Sequence, residues 1–271
     1  MKSTTHIVID QMGRCVEVPL SPRRIISLVP SQTELLAHLG LEQEVVGITK
    51  FCVHPERWYR SKPKVGGTKQ LRMEVVERLN PDLIVGNKEE NEKSMIEALS
   101  QRYPVWMSDI RSINDALDMI GRLGCLVNKQ EEAESLQKAI TGRWQTVRNM
   151  AAALPFRKVL YLIWRKPYMA AGKSTFIDEV LRFLGFENIC TQERYPLVEF
   201  PVHTAPAWVF LSSEPYPFKE KHIEEIQQLY PKAKALVVDG EMFSWYGSRM
   251  LQAPAYFECL LERMLASCTS Y

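Results

Sequence analysis

The sequence predicts an α/β protein of two lobes, with mostly parallel sheets flanked by helices and one long backbone helix joining them. Three observations carry that expectation. Seven short apolar runs have strand character, turn signals and helical patterns follow them, and one central stretch has helical spacing with no strand signal. Strands that alternate with helices build parallel sheets covered on their faces.

In chain order, the first lobe has "RIISLV", "EVVGIT", "DLIVG" and "YPVWMS", and the second has "KVLYLIW", "AWVFLS" and "ALVVDG". Between them, residues 111–153 carry Ile113, Leu117, Ile120 and Leu123, then Leu136, Ile140, Trp144, Val147 and Ala151, at three- and four-residue spacing. The part from Lys129 to Ala153 alone makes a helix of about 37 Å at 1.5 Å per residue, ended before Pro155. Boundaries follow: residues 1–110 as the N-terminal lobe, 111–154 as the helical linker and 155–271 as the C-terminal lobe. The halves echo each other. Glu74 precedes the strand-opening Pro81 by seven residues, as Glu199 precedes Pro206, and each half has a strand, a small-residue turn and an amphipathic helix. An internal duplication is the reading that covers both.

Charge excludes some functions. With 34 basic and 32 acidic residues the formal charge is +2, so nothing favours nucleic acid or an anionic membrane. No apolar run approaches the roughly 18 residues of a membrane span, and the N-terminus shows no secretory signal. A cytoplasmic chain is expected if Met1 is the native start, and a periplasmic one if a signal has been removed. Six scattered cysteines, without C-x-x-C spacing, read as buried reduced thiols.

Motifs for chemistry fail on inspection. "AAGKST" at 170–175 has Pro167 where a P-loop needs its first glycine, so Ser174 or Thr175 is expected to cap a helix instead. No G-x-G-x-x-G follows a strand. The five histidines lack ligand spacing, and His38 falls on the apolar side of a helix. No catalytic set can be named and no metal site is expected. Aromatic residues do concentrate beside charge, in stretches that read as loops beyond strand ends: "FCVHPERWYR" (His54, Trp58, Tyr59), "WRKPYM" (Trp164, Arg165, Tyr168), "ERYP" (Tyr195) and "GEMFSWYGSR" (Glu241, Phe243, Trp245, Tyr246, Arg249). Exposed aromatics with arginines suit a flat or anionic ligand; each cluster alone also suits packing between lobes. At "VPSQTELL", Pro30 ends a strand, and Ser31 either meets a ligand's polar edge or caps its own helix.

The stretches "VPLSPRRIISLVPSQTELLAHLGLEQEVVGIT", "LRMEVVERLNPDLIVG", "AAGKSTFIDEVLRFLGFENI" and "FSWYGSRM" resemble solute-binding proteins of ABC transporters that have a single long backbone helix, the group serving cobalamin, iron-siderophore and haem uptake. The cobalamin-binding branch is the nearest. The resemblance implies a non-enzymatic monomer that holds a corrinoid, haem or ferric siderophore in the interlobe cleft. Partners would be that ligand and an ABC transporter permease, docked by Glu74 and Glu199, with no intrinsic cofactor. Asn87 stands where that branch has a tryptophan, which makes it a candidate ligand contact. A cytosolic sensor or carrier for the same ligands, or an enzyme on the same frame, are the alternatives.

Overall fold

A computed structural model describes residues 5–152, 157–200 and 204–266. Its contacts divide the chain into two units. Unit 1 holds the chain through Ile110, together with Asn114–Ala139 and Tyr246–Arg249, and unit 2 holds Arg111–Ile113, Ile140–Trp245 and the chain from Met250 onward. Residues 111–152 are divided between the two units, and the short run Tyr246–Arg249 groups with unit 1.

Unit 1 opens with an antiparallel hairpin of β1 (Thr5–Ile9) and β2 (Cys15–Pro19). Then follow β3 (Ile25–Ser27), α1 (Pro30–His38), β4 (Val45–Ile48), α2 (Glu56–Ser61), α3 (Met73–Leu79), β5 (Leu83–Asn87), α4 (Lys93–Ser100) and β6 (Val105–Ser108). Strands β3, β4, β5 and β6 make a wholly parallel sheet in the order β4-β3-β5-β6. Its strands are almost entirely buried, which is why they read as unbroken apolar runs.

The helical centre is two helices, α5 (Ile113–Leu126) and α6 (Gln130–Ala152), with Asn128 at positive φ in the turn between them. Leu136, Ile140, Trp144, Val147 and Ala151 are all buried, so the stripe read from spacing is the packed face of α6. Residues up to Ala139 belong to unit 1 and those from Ile140 to unit 2.

Unit 2 contains β7 (Arg157–Trp164), β8 (Met169–Ala170), α7 (Phe176–Phe183), β9 (Phe186–Asn188), β10 (Trp208–Ser212), α8 (Ile223–Leu229), β11 (Lys234–Val238), α9 (Gly240–Ser244) and α10 (Ala253–Ala266). The parallel strands run β9-β7-β10-β11, with β8 antiparallel on β7. Matching β3 to β7, β4 to β9, β5 to β10 and β6 to β11 gives the same strand order in both units. Pro81 and Pro206 each stand two residues before the matched strand. The duplication is thus a repeat of topology as well as of sequence spacing.

Three local expectations resolve. Thr175 is the cap of α7, accepting from the Asp178 amide at 3.1 Å, and Lys173 is tied to Asp178 at 3.1 Å; the lysine of "GKST" serves a buried carboxylate. His38, expected in the core, is exposed at the last turn of α1. Of the cysteines, Cys52 alone among the described residues is fully buried, Cys190 is half-buried, and Cys15, Cys125 and Cys259 are exposed; Cys268 and His203 lie outside the described residues.

Candidate functional site

An open parallel sheet binds ligands beyond its strand C-termini, at the point where successive connections leave a strand in opposite directions. In unit 1 that point lies between β3 and β5, and the first residues after β3 are the start of α1. Proline at the first helical position and an extended Val29 at the cap let the chain turn abruptly from strand to helix. The apolar side chain of Val29 has no atom that can cap, and Thr33 is the first amide bonded back, to the Val29 carbonyl. Ser31 therefore does not cap its own helix, and that sequence alternative falls.

Three polar atoms collect here without a hydrogen-bond partner among the described residues: Ser31 Oγ, Gln32 Oε1 and Ser248 Oγ, on residues 3%, 0% and 6% exposed. The 246–249 segment reaches α1 because Gly247, at φ +97°, lies flat against Leu35 and the Ser31 carbonyl; a Cβ would fall 3.4 Å and 3.5 Å from them. One step further Arg249 forks Glu34 on α1, Nη2 to Oε1 at 2.8 Å and Nε to Oε2 at 3.1 Å. Both charges of that pair are engaged, so the charge expected of Arg249 for a ligand is spent on Glu34.

Gln32 also ties the start of α1 to a buried polar network. Gln32 Nε2 donates to Ser108 Oγ at 2.5 Å and to the Gly86 carbonyl at 3.3 Å, and Asn87 Nδ2 donates to the same Ser108 Oγ at 2.9 Å. Asn87 Oδ1 accepts the amides of Glu89 and Glu90, and the Asn87 amide bonds Asn91 Oδ1. At 1% exposure Asn87 builds the turn after β5; it is not a surface contact. Trp58 is likewise no stacking surface: it is wholly buried, with Nε1 donating to Glu42 at 2.7 Å. That bond holds the Glu42 carboxyl below its usual range. Tyr59 is exposed with the Lys64 ammonium 4.9 Å from its ring, His54 is half-buried and Pro30 is half-buried.

Unit 2 has its switch point between β7 and β10. Trp164, the last residue of β7, is 39% exposed and meets Tyr216 edge-on at 5.8 Å. Its neighbours are engaged elsewhere. Arg165 grips Glu225 Oε2 through Nη2 and Nε at 2.7 Å and 3.0 Å, and the Tyr168 hydroxyl donates to Glu225 Oε1 at 2.5 Å. These donors pull the Glu225 carboxyl down, while burial, reinforced by Glu225, pushes the Tyr168 hydroxyl up to about 12. Tyr195 is half-buried.

Phe243 is fully buried against Tyr161, Phe210 and Phe257 and offers no face to a ligand. Trp245 and Tyr246 are 8% and 6% exposed. Trp245 Nε1 and Ser244 Oγ both donate to Glu214 Oε1 at 2.8 Å. Glu214 is the anchor that the sequence reading missed; its position just past β10, at the switch point, was the available signal. Asp239 and the half-buried Glu241 line the same recess.

Burial raises the Glu214 carboxyl above its ordinary value, opposed by the Ser244 and Trp245 bonds and reinforced by Glu241 and Asp239. A raised folded-state value means that the folded chain holds this proton to higher pH than the unfolded chain does. Its contribution to stability is complete below the unfolded value and is lost as pH rises through the folded one. Glu214→Gln should therefore melt higher than the parent at neutral pH, by about 2–4 °C per kcal/mol regained. The margin should vanish near pH 4 in a melting series across pH.

Glu74 is exposed in the first turn of α3, whereas Glu199 is exposed in irregular chain, not at a helix start. No group of three or more metal-binding side chains gathers among the described residues, and no helix there is long and apolar enough to cross a membrane.

Several known proteins resemble the chain. The uncharacterized ABC transporter substrate-binding lipoprotein YvrC of Bacillus subtilis is 25% identical over 197 residues, 68% of this chain and 60% of its own length. The periplasmic vitamin B12 binding protein BtuF of Vibrio cholerae superposes with a TM-score of 0.77 at 20% identity, covering 89% of this chain and 98% of its own. A periplasmic heme binding protein of Pseudomonas aeruginosa gives 0.77 at 22% identity, covering 88% and 92%. The chain spans about 60% of the length of the first curated relatives it matches. The structural likenesses establish the two-domain α/β fold, and the sequence matches the periplasmic binding protein family over residues 25–235. The chain belongs to the periplasmic binding protein family.

Proposed function

We propose that the protein is a non-enzymatic solute-binding component of an ABC-type importer, working outside the cytoplasmic membrane, whose ligand is a corrinoid, a haem or another bulky iron chelate. The observation that carries this reading is the set of buried, unpartnered polar atoms on Ser31, Gln32 and Ser248 at the switch point of unit 1. A buried polar group without a partner is costly, and a polar-edged ligand removes that cost. Unit 2 adds the exposed Trp164 at its own switch point, a flat apolar surface of the kind a macrocycle covers. The relatives, vitamin B12 binding and heme binding by name, supply the ligand class, and the lipoprotein relative supports export rather than the cytoplasmic placement.

Tryptophan fluorescence titrated with cobalamin, haem and ferric siderophores tests the reading. Quenching by one of them is expected, weakened about tenfold or more by Trp164→Ala and by Ser31→Ala with Ser248→Ala, each loss being about 1.4 kcal/mol or more. Absence of any response to all three sinks it. Docking on a permease through Glu74 and Glu199 is supported by their matched places before β5 and β10 and their exposure. Glu74→Ala with Glu199→Ala should abolish uptake in cells and leave ligand affinity unchanged.

A further inference from the structure

The parallel strands of unit 2 finish at the switch point that carries Trp164 and start at the opposite end of the sheet. There β7 opens at Arg157, β10 at Trp208 and β11 at Lys234. Trp208 is buried, with the Arg157 guanidinium 5.9 Å and the Lys234 ammonium 5.6 Å from its ring centre. A groove of about 510 Å³ runs over this end, and its lining carries Lys232, Lys234 and Arg263 with no acidic residue. The whole chain has a formal charge of +2. The groove therefore gathers more positive charge than the molecule has in sum, because the balancing carboxylates lie elsewhere. A charged partner meets the local field, not the total.

The backbone presents this charge on a fixed frame. Tyr230, Pro231, Lys232 and Ala233 form a β-turn closed by the Ala233 amide on the Tyr230 carbonyl at 3.0 Å, and proline at its second position presets it. Lys232 stands exposed on that turn. Leu229, the last residue of α8, is 40% exposed directly before it. Arg263 also borders the recess that holds Asp239 and Glu241, so Lys232 and Lys234 carry the larger part of the groove's charge. The turn is also near Glu199: Phe200 meets the Tyr230 ring edge-on at 5.7 Å, and Glu199 beside it is exposed.

We propose that this groove, with Leu229 at its margin, is a docking surface for the headgroups of an anionic phospholipid membrane. The cations attract lipid phosphates, and the exposed leucine enters the boundary between headgroups and acyl chains. A soluble phosphate would have no use for that leucine. The choice of lipid rests on the reading that the protein works outside the cytoplasmic membrane and meets a permease through Glu199, since a surface near Glu199 then lies at the bilayer. So few cations give a weak, salt-sensitive contact, which keeps the chain close to the membrane without anchoring it.

Co-sedimentation of the full chain with vesicles of phosphatidylglycerol, against vesicles of phosphatidylcholine, is the test. Binding to the first alone is expected, lost as salt shortens the Debye length from about 10 Å at 0.1 M to about 3 Å at 1 M. One cation near an anionic surface is worth about fivefold in affinity, so Lys232→Gln should weaken binding about fivefold and Lys232→Glu about 25-fold. Leu229→Ser should weaken it about threefold or more. Both positions are exposed, so the circular dichroism spectra should not change. The assay contains neither permease nor any of the three ligands, so its failure leaves the fluorescence titration standing, and the reverse holds too. Absence of binding to phosphatidylglycerol overturns the proposal, as does binding indifferent to the charge variants. Displacement by inorganic phosphate beyond that by chloride at equal ionic strength overturns it in favour of a soluble phosphate ligand. Retention on polyglutamate without lipid binding overturns it in favour of an acidic protein segment.

Discussion

Arg249→Ala should lower folding stability by about 3–5 kcal/mol, the cost of leaving one charge of a buried pair without its mate. With 9% and 16% of their side chains exposed, Arg249 and Glu34 have little water to fall back on. Their two parallel contacts have the fork geometry in which guanidinium and carboxylate bind most strongly. The loss should appear as a drop of about 1–2 M in the urea midpoint, given a slope of about 3 kcal/mol/M for a chain of this size. Arg249→Met combined with Glu34→Met should cost much less than the sum of the single changes, because an apolar pair of similar volume strands no charge. Equal effects of single and double variants would show instead that Arg249 acts by packing its stem. The residues involved are 215 apart in sequence and in the same unit, so the pair fastens the 246–249 excursion onto α1. Ser248 loses its position with it. Any contribution of Ser248 to a ligand should fall in proportion, and a titration of Arg249→Ala reads that loss even where the ligand never touches the guanidinium.

The fold was legible because its signals are local. Buried parallel strands must be apolar throughout, so "DLIVG" or "AWVFLS" announces itself, and the face of α6 repeats at helical spacing wherever it packs. The short β8 and β9 carry too few residues for a pattern. The site was less legible, for a reason Trp58 and Phe243 make plain. An aromatic residue beside charged neighbours reads the same whether its ring lies on the surface or, as with Trp58, is buried while its N–H reaches a carboxylate at the rim. Arg165 and Arg249 read as charges in loops beyond strand ends, but their partners Glu225 and Glu34 lie 60 and 215 residues away, and no spacing rule spans that distance. The orphaned atoms of Ser31 and Ser248 pose the same difficulty. That a hydroxyl lacks a partner is a property of everything around it, and sequence shows only the hydroxyl.

Trp144→Ala should be comparably severe, at about 3–5 kcal/mol for removal of a buried indole. The residue sits on the half of α6 that belongs to unit 2 and is 3% exposed. Its ring meets Phe183 and Phe257 edge-on at 5.3 Å and 5.8 Å, and its Nε1 donates to the Met250 carbonyl at 2.7 Å. Alanine's better helix propensity returns only about 0.5 kcal/mol, far less than the cavity costs. Trp144→Phe separates the two roles, since it keeps most of the packing and strands the Met250 carbonyl, for an expected loss of about 1–3 kcal/mol. Met250 is the residue at which the chain rejoins unit 2 after the 246–249 excursion, directly after Arg249. Trp144 and Arg249 thus fasten adjoining residues of one segment, and once either fastening is lost the other holds a chain already free on one side. The double variant Trp144→Phe with Arg249→Ala should therefore lose less than the two single losses added together. Strict additivity in a urea cycle would show that each anchor acts within its own unit and that the segment transmits nothing between them.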